Sequence, residues 1–261
     1  MRASSQSPTQ IYRQAPCAAL RRIIQHFLVI EFPSVHRDAH LPETDAVAAF
    51  SFRGACRIDE TRLAPPAAFT GPRDVLRTHE HLDGHAVLLA TFTPVGAYTF
   101  LRAPLEEFTG YTVSLTDLIG SPGEELSLSD RLNSAKNHRQ RIALVEQFLL
   151  AKKRGSTPDP LISAAVAWLE RSAEAKRIDD LSRYVGLSQS ALERRFRRTI
   201  GVSPKKFASL ARLRRAAQLQ ATGADLTTVA HASGYFDQSH FIKEFRRATG
   251  RAPSDFFRRP V

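Results

Sequence analysis

Cysteine is nearly missing from this chain: Cys17 and Cys56 are the two in 261 residues, and neither sits in a C-x-x-C pair. That excludes a disulfide framework and a Cys-built zinc cluster, and it fits a reducing cytoplasm. Local charge favours a thiolate at neither position, so no redox switch between them is expected. Long apolar runs are missing too. No stretch approaches the roughly 20 residues of a membrane-spanning helix. The greasiest segment, IIQHFLVIEF (23–32), holds His26 and Glu31 and reads as a strand. The start, MRASSQSPTQ, has one Arg and no apolar segment, so a secretory signal is not expected and residues 1–19 read as a disordered leader.

Acidic charge is scarce in one region only. The net charge is +11. Residues 161–261 hold 19 Lys and Arg against 9 Asp and Glu, whereas residues 1–160 hold 18 against 17. Such asymmetry points to a nearly neutral module joined to one that meets a polyanion, with double-stranded DNA ahead of an anionic membrane.

The length suits two domains. In the first half, FLVIEF (27–32), AVAAFSF (46–52), CRIDETRL (56–63), AAFTG (67–71), HAVLLATFTP (85–94) and GAYTFL (96–101) read as strands separated by turns. Many short strands at this spacing suggest a small barrel or sandwich. Residues 105–119 read as short helix, loop, short helix, and 124–153 as two helices, the second with Ile142, Val145, Phe148 and Leu149 on one face. RGSTPDP (154–160) reads as a linker, because each proline disfavours helix just before it. The expected organisation is therefore an α+β chain of two domains: a β-rich domain with trailing helices over 20–153, the linker, and an all-α domain over 161–258.

In the helical part the sequence repeats itself. Leu181 aligns with Val229 and Gly186 with Gly234; one residue is then inserted in the second copy. After it Ser190 aligns with Ser239, Leu192 with Phe241, Phe196 with Phe245, Gly201 with Gly250, Pro204 with Pro253 and Phe207 with Phe256. The repeated plan is helix, tight Gly turn, helix and Gly-x-x-Pro exit, which is a helix-turn-helix unit used twice. Leu192 and Phe196, like Phe241 and Phe245, are spaced i and i+4 and anchor the second helix of each unit. Another face carries Ser190, Arg194 and Arg197, matched by Ser239, Lys243 and Arg246. Small polar groups near a helix start can approach base edges, and long cations further along reach guanine or phosphate. Gln189 and Gln238 hold matching early positions and suit adenine or phosphate. Arg198, Arg247, Arg212, Arg214 and Arg215 read as backbone-positioning or solvated charges.

Residues 161–258 resemble the DNA-binding domain of the AraC/XylS family of bacterial transcription regulators. The resemblance rests on the D-x-S-H-F-x-x-x-F-R/K-x-x-x-G-x-x-P signature, here DQSHFIKEFRRATGRAP (237–253). It implies two helix-turn-helix subdomains joined by a long helix (about 204–222), with recognition helices at 188–200 and 237–249 entering successive major-groove segments ~34 Å apart. Carried over by position, the base readers are Ser190, Glu193, Arg194 and Arg197, then Gln238, Ser239, Ile242, Lys243 and Arg246. Two depart from the usual chemistry: Glu193 faces cytosine or repels phosphate, and Ile242 offers only apolar contact, as to a thymine methyl. Residues 20–119 resemble more weakly a sensor-like domain found upstream of this DNA-binding domain, through LPETDAVAAFSFRG (41–54), AAFTGPR (67–73) and residues 92–120. That implies a cupin-like β-fold whose ligand is not implied; such domains bind small-molecule effectors or pair subunits into homodimers. RNA polymerase is a further implied partner, and activation a common outcome.

One other segment bears chemistry. HEHLDGH puts His79 and His81 on one face of a strand with His85 close by, a spacing found in metal-binding cupins. Against this, Asp83-Gly84 is a strong hairpin-turn signal, and no carboxylate and His stand out downstream. The segment therefore reads as an exposed polar turn, and no metal or other cofactor and no catalytic residue are expected. His36 and His40 read as loop residues between Pro33 and Pro42. The sequence thus favours a sequence-specific DNA-binding regulator, not an enzyme. The alternatives are a metal-dependent cupin-like enzyme or sensor using His79, His81 and His85, and a nonspecific nucleoid protein. A DNA-repair methyltransferase would need the zinc-bound Cys cluster that two isolated cysteines rule out.

Overall fold

A computed structural model describes residues 9–101, 103–119, 122–153, 157–171 and 177–258. Among the described residues, the first half holds ten strands in two antiparallel sheets. They are β1 (Gln10–Gln14), β2 (Ile24–Glu31), β3 (His36–His40), β4 (Val47–Arg53), β5 (Cys56–Ile58), β6 (Arg62–Leu63), β7 (Ala67–Thr70), β8 (Arg77–His81), β9 (Ala86–Phe92) and β10 (Thr112–Ser114). One sheet has the order β1-β2-β9-β4-β7-β10, the other β3-β8-β5-β6. Helices α1 (Leu115–Ile119), α2 (Pro122–Ser134) and α3 (His138–Lys152) follow. The period-2 alternation decides where the core lies. Phe27 pairs with Ala90, Val29 with Leu88 and Ala48 with Phe69, and all six are buried on the face covered by α2 and α3. Across that seam the rings of Phe50 and Phe148 meet edge to face at 5.8 Å, a favoured aromatic geometry.

Several expectations are corrected here. The leader is not disordered throughout: Gln10–Gln14 pairs along its whole length with β2, and Cys17 packs against the core, while residues 1–8 lie outside the described residues. GAYTFL is not a strand. Ala97–Thr99 forms a 3-10 turn, because Thr99 N–H bonds Gly96 O and Phe100 N–H bonds Ala97 O, local bonds that replace a ladder. CRIDETRL is two strands, split where Asp59 and Glu60 take left-handed φ of 49° and 64°. The loop expected within 105–119 contains β10, paired with β7. Of the linker, residues 154–156 lie outside the described residues; α3 ends at Lys152 and α4 begins at Pro160.

The second half is helical: α4 (Pro160–Glu170), α5 (Ile178–Val185), α6 (Gln189–Ile200), α7 (Pro204–Ala221), α8 (Leu226–Ala232), α9 (Gln238–Thr249) and α10 (Pro253–Arg258). The repeat is physical. Leu181, Val229, Leu192, Phe241, Phe196 and Phe245 are all fully buried, the first of each pair in one apolar cluster and the second in another. Both tight turns close with the same i to i−5 bond, Leu187 N–H to Ser182 O at 3.1 Å and Tyr235 N–H to Ala230 O at 3.0 Å. Leu187 and Tyr235 therefore correspond, and the inserted residue is Phe236, which lies 86% exposed. Phe256 departs from Phe207: it is only partly buried, meeting Phe245 edge to face at 5.5 Å.

The β-rich half touches both helix-turn-helix units. Thr109 Oγ1 donates to Gly201 O at 2.7 Å, and Arg198 Nε donates to Tyr98 OH at 2.6 Å. Leu41 packs into the second helical cluster, and Leu76 N–H bonds Ala248 O at 3.2 Å. Between these contacts Arg214 of α7 bridges Asp45 at 3.1 Å and Glu170 at 3.5 Å. Gly201, at φ +87°, caps α6 in a conformation open to glycine, and a Cβ there would come within 3.0 Å of Pro72 and Thr109.

Truncating either anchor, Phe196→Ala or Phe245→Ala, is expected to cost about 3–5 kcal/mol in urea unfolding, because each ring is wholly enclosed. Burial, against the opposing charge of Arg214, raises the Asp45 carboxyl to about 6. A carboxyl raised in the folded state adds stability below its unfolded value near 4, and that contribution is lost as pH rises through about 6. Urea titrations of wild type and Asp45→Asn should diverge across that window, the wild type losing on the order of 2–3 kcal/mol more. Parallel curves would contradict this account of the seam.

Candidate nucleic-acid interface

Two helices present the expected stripes. Helix α6 begins where Ser188 Oγ accepts from Ala191 N–H, and α9 where Asp237 accepts from His240 N–H at 2.7 Å. Each is twelve residues long and ends on a left-handed glycine, Gly201 or Gly250. Burying Leu192 and Phe196 on one side turns Gln189, Ser190, Arg194 and Arg197 out to solvent, with Glu193 half-buried. Burying Phe241 and Phe245 does the same for Ser239, Lys243 and Arg246, while Gln238 and Ile242 are half-buried. Gln238 is also tied back: its Oε1 accepts from Thr227 Oγ1 at 3.2 Å, linking the starts of α8 and α9.

The basic side chains sort into two sets. Arg195 is held by Asp159 at 2.6 Å and Arg212 by Glu244 at 3.5 Å. Arg215 donates to Glu170 O at 3.1 Å, and Arg198 and Arg214 are engaged in the seam described above. Expected to be solvated or to position a backbone, Arg198, Arg212, Arg214 and Arg215 instead make contacts within the protein. The side chains of Arg194, Arg197, Lys243 and Arg246 have no partner among the described residues. These four belong to the aligned stripes. Seam contacts fall at the C-terminal ends of both helices, at Gly201 and Ala248, so the exposed N-terminal turns stay clear. Phe236, beside the start of α9, is an exposed apolar group that pattern reading passed over; the one-residue insertion in the second turn was its signal.

The histidine segment is arranged differently from its sequence reading. β8 ends at His81 and β9 begins at Ala86, and the two lie in different sheets, so Asp83-Gly84 turns the chain between sheets and does not close a hairpin. Nor is the segment an exposed turn: His81 and His85 are buried. His79, His81 and His85 do not converge as a triad, since His81 Nδ1 and His85 Nδ1 hydrogen-bond each other at 2.9 Å. His36 and His40 are not loop residues; they belong to β3, whose register sets Asp38 opposite His79. Burial lowers His79 to about 3 and His85 to about 4. Burial alone would raise Asp38, but the adjacent His40 and His81 imidazoles outweigh it and hold the carboxyl well below its usual range. Cys17 and Cys56 are free, and burial with the nearby Asp38 charge pushes the Cys56 thiol up to about 12.

Comparison with known proteins agrees with the helical geometry. A family model described as a helix-turn-helix domain matches residues 181–259. An AraC-like transcription regulator of Streptomyces lividans is 33% identical over 105 residues, 40% of this chain and 34% of that one. The HTH-type transcriptional regulator GbdR of Pseudomonas aeruginosa strain UCBPP-PA14 is 31% identical over 133 residues, 50% of this chain and 34% of that one. The matched part thus spans about a third of the length of these relatives. Among solved structures, an apo ToxT variant from Vibrio cholerae strain SCE256 superposes with a TM-score of 0.51 at 13% identity, covering 90% of this chain and 98% of that one. That likeness concerns the fold and extends over both halves. No helix among the described residues is long and apolar enough to cross a membrane. The tandem units, their capped helices and these matches together show that residues 181–259 form a helix-turn-helix domain similar to that of AraC-like transcription regulators.

Proposed function

We propose that this protein is a one-component, sequence-specific transcription regulator of the cytoplasm, in which the β-rich domain governs a two-headed DNA reader. The observation that carries the reading is the doubled stripe: four cations on matched faces of α6 and α9 have no partner among the described residues, whereas Arg195, Arg198, Arg212, Arg214 and Arg215 each have one. A merely solvated basic face has no reason to leave the same aligned positions unpaired twice. Base reading is assigned to Gln189, Ser190, Glu193, Arg194 and Arg197 in the first unit, and to Gln238, Ser239, Ile242, Lys243 and Arg246 in the second. Gln238, already bonded to Thr227, is a positioning group as much as a reader. The domain boundary is proposed at residues 154–160.

Control enters through the seam. Thr109, Tyr98, Leu76 and Asp45 hold both units from the β-rich side, so an effector that shifts those groups changes the relative setting of α6 and α9. The cavity between β4, β7, β9 and helices α1 and α3 offers about 20 Å³, lined by Phe69, Phe92, Phe100, Leu118 and Phe148. That is the room of about one water, so a small-molecule effector must part these side chains to enter. RNA polymerase and a second copy of the chain are the proposed further partners.

Arg194→Ala and Lys243→Ala are each expected to weaken binding at the specific site by about 1–3 kcal/mol and to change binding to random DNA little, measured by fluorescence anisotropy at fixed salt. Equal losses on both DNAs would reduce these side chains to phosphate contacts. Arg195→Ala should leave DNA affinity nearly unchanged, because its guanidinium is spent on Asp159.

A further inference from the structure

We propose that Asp38, His40 and His79, flanked by His81, form a binding site for one divalent transition-metal cation of the zinc class. The site follows from two period-2 stripes meeting in register. On β3, Asp38 and His40 point to one face; on β8, His79 and His81 do the same; and the antiparallel pairing sets Asp38 against His79. The intervening residues take the opposite face, where Glu80 is paired by Arg37 at 2.6 Å and Arg57 at 3.0 Å. The sheet thus separates an ion-pair ladder outside from a nitrogen and carboxylate cluster inside.

The distances suit a single ion. His40 Nε2 lies 3.1 Å from Asp38 Oδ1, His79 Nδ1 lies 3.7 Å from the same oxygen, and the ligand atoms of the three residues all fall within 4.8 Å of one another. Ligand atoms held about 2.0–2.1 Å from a tetrahedral ion are about 3.3 Å apart. His81 Nε2 stands 3.4 Å from Asp38 Oδ2.

A second, independent observation points to a ligand. Asp38 Oδ1, His79 Nδ1 and His81 Nε2 are all buried and all lack a hydrogen-bond partner among the described residues. Buried polar atoms are rarely left so, and here both nitrogens lie within 3.7 Å of the Asp38 carboxylate. Behind them a relay fixes His81: its Nδ1 meets His85 Nδ1 at 2.9 Å, and His85 Nε2 meets Ser51 Oγ at 3.1 Å. If each ring donates along that relay toward Ser51, His81 Nε2 is left with a bare lone pair facing Asp38, which a cation satisfies. Metal-bound imidazoles are commonly oriented in this way by a partner on the other ring nitrogen. The nearby arginines are engaged elsewhere, Arg73 with Glu43 at 3.6 Å and Arg77 with Asp59 at 3.5 Å. A set of imidazoles with one carboxylate selects zinc, nickel or cobalt over magnesium or calcium.

The test uses the full-length untagged chain, stripped with chelator and titrated with Zn²⁺ in competition with a chromophoric chelator. One Zn²⁺ per chain is expected to bind, undisturbed by a thousandfold excess of Mg²⁺. His79→Gln should lower the affinity at least tenfold, whereas His231→Gln, at an exposed site in α8, should leave it unchanged. Folded wild type that retains no Zn²⁺, or equal affinity in wild type and His79→Gln, would overturn the proposal. Should His79→Gln fail to fold, the visible spectrum of the Co²⁺-loaded wild type decides: intense four-coordinate bands support the site, and a weak aqua-ion spectrum refutes it.

Discussion

Everything the helical half presents depends on burying one pair of side chains per recognition helix. Leu192 with Phe196, and Phe241 with Phe245, are wholly enclosed, and their i, i+4 spacing fixes the rotation of each helix about its own axis. Once those rings are inside, Arg194 and Arg197 in one unit, and Lys243 and Arg246 in the other, have only the outside left. Caps at Ser188 and Asp237 fix where each helix begins, so the matched residues fall in the same turn of each. Repetition of a packing solution thus becomes repetition of a chemical surface.

A second constraint couples that surface to the β-rich half. Contacts at Gly201 and Ala248 fall at the far ends of α6 and α9, and Arg214 ties the long helix α7 to Asp45 and Glu170. Beside these polar bonds, Val95 and Leu41 add apolar contacts, one to each helical cluster. His40 adjoins Leu41, whose side chain packs into the second helical cluster. Changes in the histidine-lined face of β3 and β8 therefore lie one residue from the seam.

The sequence was most legible where local chemistry and periodicity agreed. The tight turns at Gly186 and Gly234, the Gly-x-x-Pro exits at Gly201 and Gly250 and the burial of Ile142, Val145 and Leu149 were all readable, because each depends on a neighbour within a few residues. What escaped was long-range. The strand at Gln10–Gln14 is polar and half-exposed, and only pairing with β2 makes it a strand. Partners for Arg198 and Arg214 lie 100 and 169 residues away, beyond any local pattern. The histidine cluster was half seen: H-x-H at 79–81 drew notice, but its complement is upstream, in the H-x-D-x-H alternation of 36–40. Two prolines suggested a loop there, and alternation of polar residues was the signal that should have prevailed.

The most direct test of a two-headed reader is selection of DNA from a random pool by the full-length protein at near-physiological salt, followed by sequencing. This account predicts a bipartite motif whose two halves lie about one helical turn apart, one lost on changing α6 and the other on changing α9. Recovery without any motif, or of a single short motif that depends on one helix alone, would contradict it.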